Sequence, residues 1–339
     1  MADVSLNDDV LVSNLRALQA EYRDGTRMID VCPVCESSDI SVFHPNIHRA
    51  THPNFYIAED NLVWCDHCGT IMTDRIFPPD YYFRYLNEFY DVNPPGIYPE
   101  SYIRPLIRKK YLEDTLLKYA DKPRSILEVS SFEGTTLDTL SDFGCEVFGV
   151  EPTTSAHVLA VKSFPRFSHR LVNRVFEDCA GDLQDETFDL IIFSQSFRQI
   201  ADPIRSLQIV DDLISEGGFL LIDEGSFLEH MLTCPFSELP YNLFTEKNYY
   251  YSQTGLLHLL HRFGFEYLCH TQSHAVQGVG ATRRYAMLLL RKNSDLEIDD
   301  SLLQTSKQVS NILVSAFRER WSTPEDVLQQ ILDTQVTAG

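Results

Sequence analysis

Four cysteines near the start of the chain are spaced as two C-x-x-C pairs. Cys32 and Cys35 lie in VCPVC, and Cys65 and Cys68 lie in WCDHC. Each pair can present two thiolates from one tight turn, and two such turns complete the tetrahedral set of sulfur ligands that zinc prefers. Because four protein ligands leave no open position for water or substrate, we expect a structural and not a catalytic zinc site.

Other uses of these cysteines stay open. The 29 residues between the pairs exceed the usual zinc-ribbon gap, and disulfide or redox sites also use C-x-x-C. His67 is an alternative ligand because it lies between Cys65 and Cys68. The remaining cysteines share no spacing and are predicted to be free core thiols: Cys145, Cys179, Cys234 and Cys269.

A second group of residues suits the binding of a nucleoside. Glu128 ends the apolar run SILEV, and Ser130 and Gly134 follow where a helix is expected to begin. Glu151 lies 23 residues beyond Glu128, at the end of the next apolar run, where a carboxylate can accept hydrogen bonds from both ribose hydroxyls. The G-x-G-x-x-G pattern of nicotinamide-binding folds is absent from this turn. The spacing therefore predicts a nucleoside site of another kind.

The elements that would position these residues alternate between strands and helices. From Ser125 onward, short apolar runs alternate with helical stretches, which predicts βαβ units and a parallel sheet. Strands are predicted at 125–129, 145–150, 170–175, 188–193 and 219–223. Helices are predicted at 135–143, from Asp202-Pro203 to Gly217-Gly218, and at 253–263. The last runs, 265–269 and 284–292, have no helix between them and predict an antiparallel hairpin at the sheet edge.

The whole chain divides into five predicted segments. They are a helical arm (1–30), a cysteine-rich module (31–77), a Tyr/Pro-rich linker and helix (78–123), an α/β domain (124–293) and a helical tail (294–339). The tail helices are expected to cover the sheet or to form a homodimer contact. A basic helix face is expected either to meet a diphosphate or to face solvent: Arg104, Arg108, Lys109 and Lys110.

Charge and hydropathy exclude two classes of partner. The net charge of −21 disfavours nucleic acid, because such binding depends on Lys and Arg neutralising phosphates. No apolar run reaches the length of a membrane span, and the first residues lack the pattern of a signal peptide. We therefore expect a cytoplasmic protein that contacts neither nucleic acid nor membrane.

Longer motifs resemble one enzyme family. CPVC, CDHCG and YYFRYLNEFY precede LEVSSFEGTTL, GVEPTTSAHVLA, FDLIIFSQSFRQIADPIRSL and FTEKNYYYSQTGLLHLL. In this order they resemble class I S-adenosylmethionine-dependent methyltransferases with an N-terminal zinc-binding module, above all sugar C-methyltransferases and related glycan and natural-product enzymes. The resemblance implies an α/β fold: a Rossmann-like seven-stranded methyltransferase sheet, a small zinc-binding module and C-terminal helices.

The resemblance also implies ligands and site residues. S-adenosylmethionine is the expected methyl donor, Zn²⁺ the structural metal, and a small molecule, a nucleotide sugar or natural-product intermediate, the acceptor. The residues expected to bind the donor are Glu128, Ser130, Phe132, Gly134, Glu151, Pro152, Phe176, Glu177 and Ser194. The residues expected at the reacting centre are Gln199, Glu246, Lys247 and Tyr250.

Several residues depart from the family pattern. Ser130 stands where many relatives have glycine, and Gln199 and Lys247 stand where sugar C-methyltransferases have histidine. Gln199 can donate a hydrogen bond but cannot take a proton, and Lys247 acts as a base only if burial lowers its pKa. Methylation of carbon, oxygen or nitrogen therefore stays open. The alternative is a catalytically silent methyltransferase-fold protein used for binding or assembly.

Overall fold

The computed structural model describes residues 26–52, 55–76, 78–92, 94–224, 247–278, 281–298 and 301–320. Residues 1–25 of the predicted N-terminal helical arm, Cys234 and Glu246 lie outside these residues, and the described end of the arm holds a strand, Arg27–Met28.

The cysteine-rich module consists of short antiparallel strands. Its strands are β1 (Arg27–Met28), β2 (Ile40–His52), β3 (Phe55–Cys65), β4 (Ile71–Thr73) and β5 (Arg75–Ile76). β1 pairs with β5, while β2, β3 and β4 form a separate sheet. The two cysteine pairs lie in the turns that lead into β2 and β4, so the strands hold them in place.

Two helices lie between the module and the main sheet. The first, α1 (Pro79–Val92), occupies the stretch that the sequence predicts as a linker. Proline and an acidic residue are favourable in a first helical turn, and Pro79 and Asp80 supply them. Tyr81 and Tyr85 are buried. The second helix, α2 (Ile103–Thr115), confirms the helix predicted before the sheet.

A seven-stranded mixed sheet forms the main domain. Its strands are β6 (Ser125–Val129), β7 (Glu146–Val150), β8 (Leu171–Val172), β9 (Phe188–Ser194), β10 (Ile214–Glu224), β12 (Phe265–Gly278) and β13 (Ala281–Lys292). The short strand β11 (Tyr249–Tyr250) lies between β10 and β12 in the chain but belongs to the sheet of the cysteine-rich module. The spatial order is β12-β13-β10-β9-β6-β7-β8. β6 to β10 run parallel and β13 runs antiparallel to both β10 and β12, which confirms the predicted edge hairpin.

Five further α-helices follow α2 in the part of the chain that the structure describes. They are α3 (Thr135–Ser141), α4 (Thr154–Ser163), α5 (Pro203–Leu213), α6 (Gln253–His261) and α7 (Ser301–Arg320). The centre of β9 is fully buried, as expected of a parallel strand covered on both faces. Leu190 and Ile192 pack into one cluster, whereas Ile191 and Phe193 pack into the other. None of the described helices combines the length and hydrophobicity needed to span a lipid bilayer.

Two predicted boundaries were wrong. The predicted third strand, 170–175, is reduced to the two residues of β8, which lie between the 3₁₀ turns Pro165–Arg170 and Phe176–Asp178. The helix α5 ends at Leu213 and not at Gly217-Gly218. The chain enters β10 at Ile214, and both glycines lie at the irregularity between Ile214 and Phe219, with Gly217 at φ 73°.

The tail helix α7 packs on its own chain. The hydroxyl groups of Ser252 and Ser306 hydrogen bond, and that of Ser310 donates to the carbonyl of Gly69 beside the second cysteine pair. A Cβ atom at Gly69 would lie 2.5 Å from the Ser310 oxygen, so the close approach requires glycine. The predicted homodimer through this tail stays a prediction.

Candidate functional site

Three residues of the turn after β6 have a left-handed backbone, and two of them are not glycine. Ser130 has φ 61°, Phe132 has φ 45° and Gly134 has φ 80° immediately before α3 begins. The backbone N–H of Ser130 donates to the carbonyl of Val150 on the neighbouring strand, at 2.8 Å. This conformation costs a side-chain-bearing residue free energy, since Cβ crowds the following carbonyl.

Glu151, at the end of β7, holds this turn. Its carboxylate accepts hydrogen bonds from the backbone N–H groups of Phe132 at 2.8 Å and Thr153 at 2.7 Å. Burial raises the pKa of Glu151 to about 7. The ring of Phe132 packs edge-on against Tyr90, with 5.3 Å between ring centroids. The acidic residue that ends β7 therefore holds the turn that follows β6.

A cleft lies at the carboxyl ends of β6, β7 and β9. Its lining contains five of the predicted site residues: Ser130, Pro152, Phe176, Glu177 and Gln199. The rest of the lining is Pro79, Tyr82, Val129, Val150, Val175, Ser196, Ile200 and Ala201. A mostly apolar wall with a few polar groups is typical of small-molecule sites.

The cleft wall is fixed by polar contacts from two sides. The hydroxyl of Tyr82, on α1, donates to Oε1 of Gln199 at 2.8 Å, so α1 forms one side of the cleft. Glu177 accepts a hydrogen bond from the backbone N–H of Ala201 at 2.8 Å. Burial raises the pKa of Glu177 above that of an ordinary glutamate. The stretch predicted as a linker therefore supplies part of the site.

A buried ion-pair network lies over the ends of β6 and β10. The guanidinium of Arg108, only 2% exposed, contacts Oε1 of Glu128 at 2.9 Å and the carboxylate of Asp223. Arg104 also pairs with Asp223, at 3.2 Å. The Ser194 hydroxyl donates to Oε1 of Glu128.

This network corrects the expected basic helix face. Arg108 is not exposed to solvent, and its positive charge is paired with the buried carboxylates of Glu128 and Asp223. It is therefore not available to bind a diphosphate. Burial raises the pKa of Glu128 to about 7 although Arg108 opposes the rise. Burial also acts to raise the pKa of Asp223, but Arg108 and Arg104 together hold it below the ordinary value. Sequence reasoning missed Asp223, for which the terminal acid of the run FLLID was the available signal.

One atom of the network has an unmet hydrogen-bonding capacity. Oε2 of Glu128 is buried and has no hydrogen-bond partner in the part of the chain that the structure describes. Buried carboxylate oxygens normally accept hydrogen bonds, so an unpaired one points to a missing donor.

The predicted reacting-centre residues are not all brought together. Gln199 lines the cleft, whereas Lys247 and Tyr250 are not among its lining residues. Lys247 is half-buried two residues before the start of β11, and Tyr250 is fully buried on β11, where it pairs with Ile71 of the cysteine-rich module. Of the predicted donor-binding residues, Glu128, Phe132, Gly134, Glu151 and Ser194 lie around the cleft without lining it.

The four predicted cysteines converge on one point. Their sulfur atoms all lie within 4.8 Å of one another, with 3.5 Å between Cys32 and Cys68 and 3.5 Å between Cys35 and Cys65. Sulfur atoms around a tetrahedral zinc lie about 3.8 Å apart, given Zn–S bonds of about 2.3 Å, whereas a disulfide needs about 2.05 Å. All four are free thiols, and His67 is exposed. The donor set fits a metal and does not form disulfides.

Comparisons with known proteins agree with this geometry. A family described as "Methyltransferase domain" matches residues 101–270. No curated protein matches the chain.

Three solved structures of methyltransferases are similar to part of this chain. N-methyltransferase NodS from Bradyrhizobium japonicum WM9, in complex with S-adenosyl-L-homocysteine, is 14% identical, with a TM-score of 0.45 over 62% of this chain and 99% of that one. Geranyl diphosphate C-methyltransferase from Streptomyces coelicolor is 13% identical, with a TM-score of 0.43 over 55% of this chain and 78% of that one. A methyltransferase from Archaeoglobus fulgidus is 15% identical, with a TM-score of 0.41 over 63% of this chain and 100% of that one. The family match spans half of the chain, and the chain therefore belongs to the methyltransferase-domain family as an S-adenosylmethionine-dependent methyltransferase.

Proposed function

We propose that this methyltransferase modifies a small molecule, a nucleotide sugar or a natural-product intermediate, and that the cleft holds the adenosyl part of S-adenosylmethionine. The observation that carries the proposal is the position of the cleft, at the carboxyl ends of β6, β7 and β9 and next to Glu128 and Glu151. Ligands of open α/β sheets bind at this edge.

The cleft chemistry suits an adenosyl group. Val150, Phe176 and Ile200 offer apolar surface to a flat base, and Ser130 and Glu177 offer polar contacts at the rim. Glu151 lies one residue before Pro152 of the lining. Each of its carboxylate oxygens accepts one backbone N–H and keeps a lone pair for a ribose hydroxyl.

The methionine end of the donor suits the network at Glu128. The unpaired Oε2 of Glu128 is an acceptor for an ammonium group, and the hydrogen bonds from Arg108 and Ser194 hold the carboxylate in place. When bound, the donor supplies an electrophilic methyl group. The protein's part is then to align the acceptor and to receive its proton.

The cleft favours acceptors that need little activation. Gln199, held by Tyr82, can orient an acceptor but cannot take a proton, and no histidine is among the described residues that line the cleft. Carbon methylation requires a base to form the enolate, whereas oxygen and nitrogen nucleophiles require less help. We therefore propose an oxygen or nitrogen acceptor ahead of a carbon acceptor. The roles of Glu246, Lys247 and Tyr250 in proton transfer stay proposals.

We propose Zn²⁺ as the ion held by the four cysteines, with a structural role. Support comes from the sulfur distances and from the complete set of four protein ligands. Reduced thiols of this kind suit a reducing compartment such as the cytoplasm. A homodimer, if formed through α7, would have to use the outward face that carries Ile312, since Ser306 and Ser310 pack inward.

Methyl transfer with a labelled donor tests the proposal. Zinc-loaded protein is incubated with S-[methyl-³H]adenosylmethionine and separate pools of nucleotide sugars, phenolic and hydroxylated polyketides, amines, RNA and protein. We expect label in one small-molecule pool and none in RNA or protein. Donor binding without label in any pool would favour the catalytically silent alternative, and label in a macromolecule would contradict the proposed acceptor class.

A further inference from the structure

A strand of the methyltransferase domain belongs to the sheet of the cysteine-rich module. β11 pairs with β4, so that Tyr249 lies opposite Met72 and Tyr250 lies opposite Ile71. The backbone N–H of Thr73 extends the pairing by donating to the carbonyl of Asn248 at 3.0 Å. The combined sheet has the order β11-β4-β3-β2. The two parts of the chain are therefore joined by backbone hydrogen bonds.

The start of β4 is set by the second cysteine pair. The N–H of Gly69 donates to the carbonyl of Cys65 at 2.8 Å, and the N–H of Cys65 donates to the carbonyl of Thr70 at 2.9 Å. The Thr70 hydroxyl lies 3.1 Å from the sulfur of Cys68. The turn that presents these two sulfur atoms is therefore the turn that leads into β4.

At the other end of this connection, Asn248 binds the cleft wall. Its side-chain amide donates to the carbonyls of Gln199 at 2.6 Å and Ile200 at 3.1 Å. Its backbone N–H donates to the carbonyl of Arg198 at 2.8 Å. Asn248 is fully buried. Buried carbonyls outside regular secondary structure must find donors elsewhere, and here Asn248 supplies them.

Tyr249 completes the attachment. Its N–H also donates to the carbonyl of Arg198, at 3.1 Å, and its hydroxyl donates to the carbonyl of Ala201 at 3.1 Å. Four consecutive carbonyls, those of the wall segment 198–201, thus accept from Asn248 and Tyr249. On the opposite side, Glu177 accepts the N–H of Ala201.

We propose that Asn248 is a positioning residue through which zinc at the four cysteines sets the affinity of the cleft for the methyl donor. The inference rests on the proposed donor cleft. A metal supplies much of the folding free energy of small cysteine modules, so its loss frees the second cysteine pair and the start of β4. Asn248 then loses the partner that fixes it, and the wall segment 198–201 loses its donors.

The first experiment compares the zinc-loaded full chain with the chain after chelation. Calorimetry with S-adenosylhomocysteine is expected to show about tenfold weaker binding without zinc, the effect of one lost buried hydrogen bond, with recovery when zinc is added back. Coupling between sites is reciprocal, so S-adenosylhomocysteine is expected to tighten zinc binding by the same factor, measured by competition with a chelating dye.

The second experiment separates positioning from folding. Asn248→Ala is expected to keep its zinc, to bind S-adenosylhomocysteine about tenfold more weakly than the wild type, and to lose the dependence of that affinity on zinc. Asn61→Ala is the matched control, because the Asn61 amide donates to Asp74 within the cysteine-rich module. The control is expected to keep both the affinity and its zinc dependence. A purely structural role of Asn248 would lower its melting temperature but leave the zinc dependence intact.

Two outcomes overturn the proposal. One is a folded, zinc-free wild type that binds S-adenosylhomocysteine as tightly as the loaded protein. The other is zinc-loaded Asn248→Ala with wild-type affinity, which decides the matter even if the metal-free chain unfolds. If the zinc-loaded wild type binds no S-adenosylhomocysteine, the proposed donor cleft itself is contradicted. If S-adenosylhomocysteine binds with the same affinity with and without zinc, only the coupling is contradicted.

Discussion

The backbone N–H of Phe132 donates a hydrogen bond to the carboxylate of Glu151, 2.8 Å away. The acidic residue that ends β7 therefore holds the turn that follows β6. This contact explains how the turn keeps its left-handed course with Ser130 and Phe132 in it, since the surrounding hydrogen bonds offset the cost of positive φ angles.

Ser130→Gly is expected to stabilise the protein. Serine at φ 61° carries a left-handed penalty that glycine avoids, and the gain after the extra entropy of unfolded glycine is roughly 0.5–1 kcal/mol in urea denaturation. Ser131→Gly, one position on, has no such strain to relieve and is expected to destabilise. Equal losses for both variants would show that the turn is not strained at Ser130.

Arg108→Met is expected to destabilise the fold strongly. The change leaves Glu128 and Asp223 buried without their shared cation, which costs about 3–5 kcal/mol in chemical denaturation. Lys110→Met removes an exposed pair with Asp114 on the same helix and is expected to have no measurable effect. A loss for Arg108→Met no larger than for this control would mean that the network does not hold α2 on the sheet.

The pKa of Glu128 predicts a pH dependence of stability. Burial raises it from 4.5 to about 7, so between these values the folded chain holds more protons than the unfolded chain. The contribution of protonated Glu128 to the free energy of unfolding is complete below pH 4.5 and is lost as the pH rises through 7. Glu128→Gln keeps an oxygen acceptor for Arg108 and Ser194 and removes the titration.

The corresponding measurement is the free energy of unfolding at pH 5 and at pH 8. For Glu128→Gln, the decrease between these values is expected to be smaller than in the wild type by on the order of 2 kcal/mol. Glu146→Gln, at the exposed start of β7, serves as the control and is expected to leave the wild-type decrease unchanged. An identical decrease in all three proteins would contradict the titration of Glu128 in this range.

Cys65→Ser is expected to abolish zinc binding. Mass spectrometry of the purified wild type is expected to show about one zinc per chain, since four thiolates complete one tetrahedral site. Cys145→Ser, which alters a thiol outside the cluster, is expected to retain the metal. Zinc retained by Cys65→Ser at wild-type level would remove that residue from the ligand set.

Much of the main sheet could be predicted because its signals are local. Buried parallel strands appear as apolar runs such as FDLIIF, and Asp202 with Pro203 marks a helix start, where the Asp202 side chain accepts from the N–H of Arg205. The cysteine spacing likewise predicted a cluster that forms in the structure.

The remaining features depend on partners that lie far away in the sequence. Nothing local distinguishes Arg108 from its exposed neighbours on α2, because its burial is decided by Asp223 at the end of β10. No local signal marks the pairing of β11, which carries Tyr250, with β4 of the cysteine-rich module. The helix α1 was predicted as a linker although its sequence carries a helical period, in which Tyr81 and Tyr85 lie four residues apart on a buried face.

Calorimetric titration of S-adenosylhomocysteine into the zinc-loaded chain tests the central claim, that the cleft binds the methyl donor. The account predicts saturable binding by the wild type and by Ile312→Trp, on the exposed face of α7, and no measurable binding by Ala201→Trp, which fills the cleft. A folded wild type that gives no heat and no thermal shift, or an Ala201→Trp variant that binds like the wild type, would contradict it.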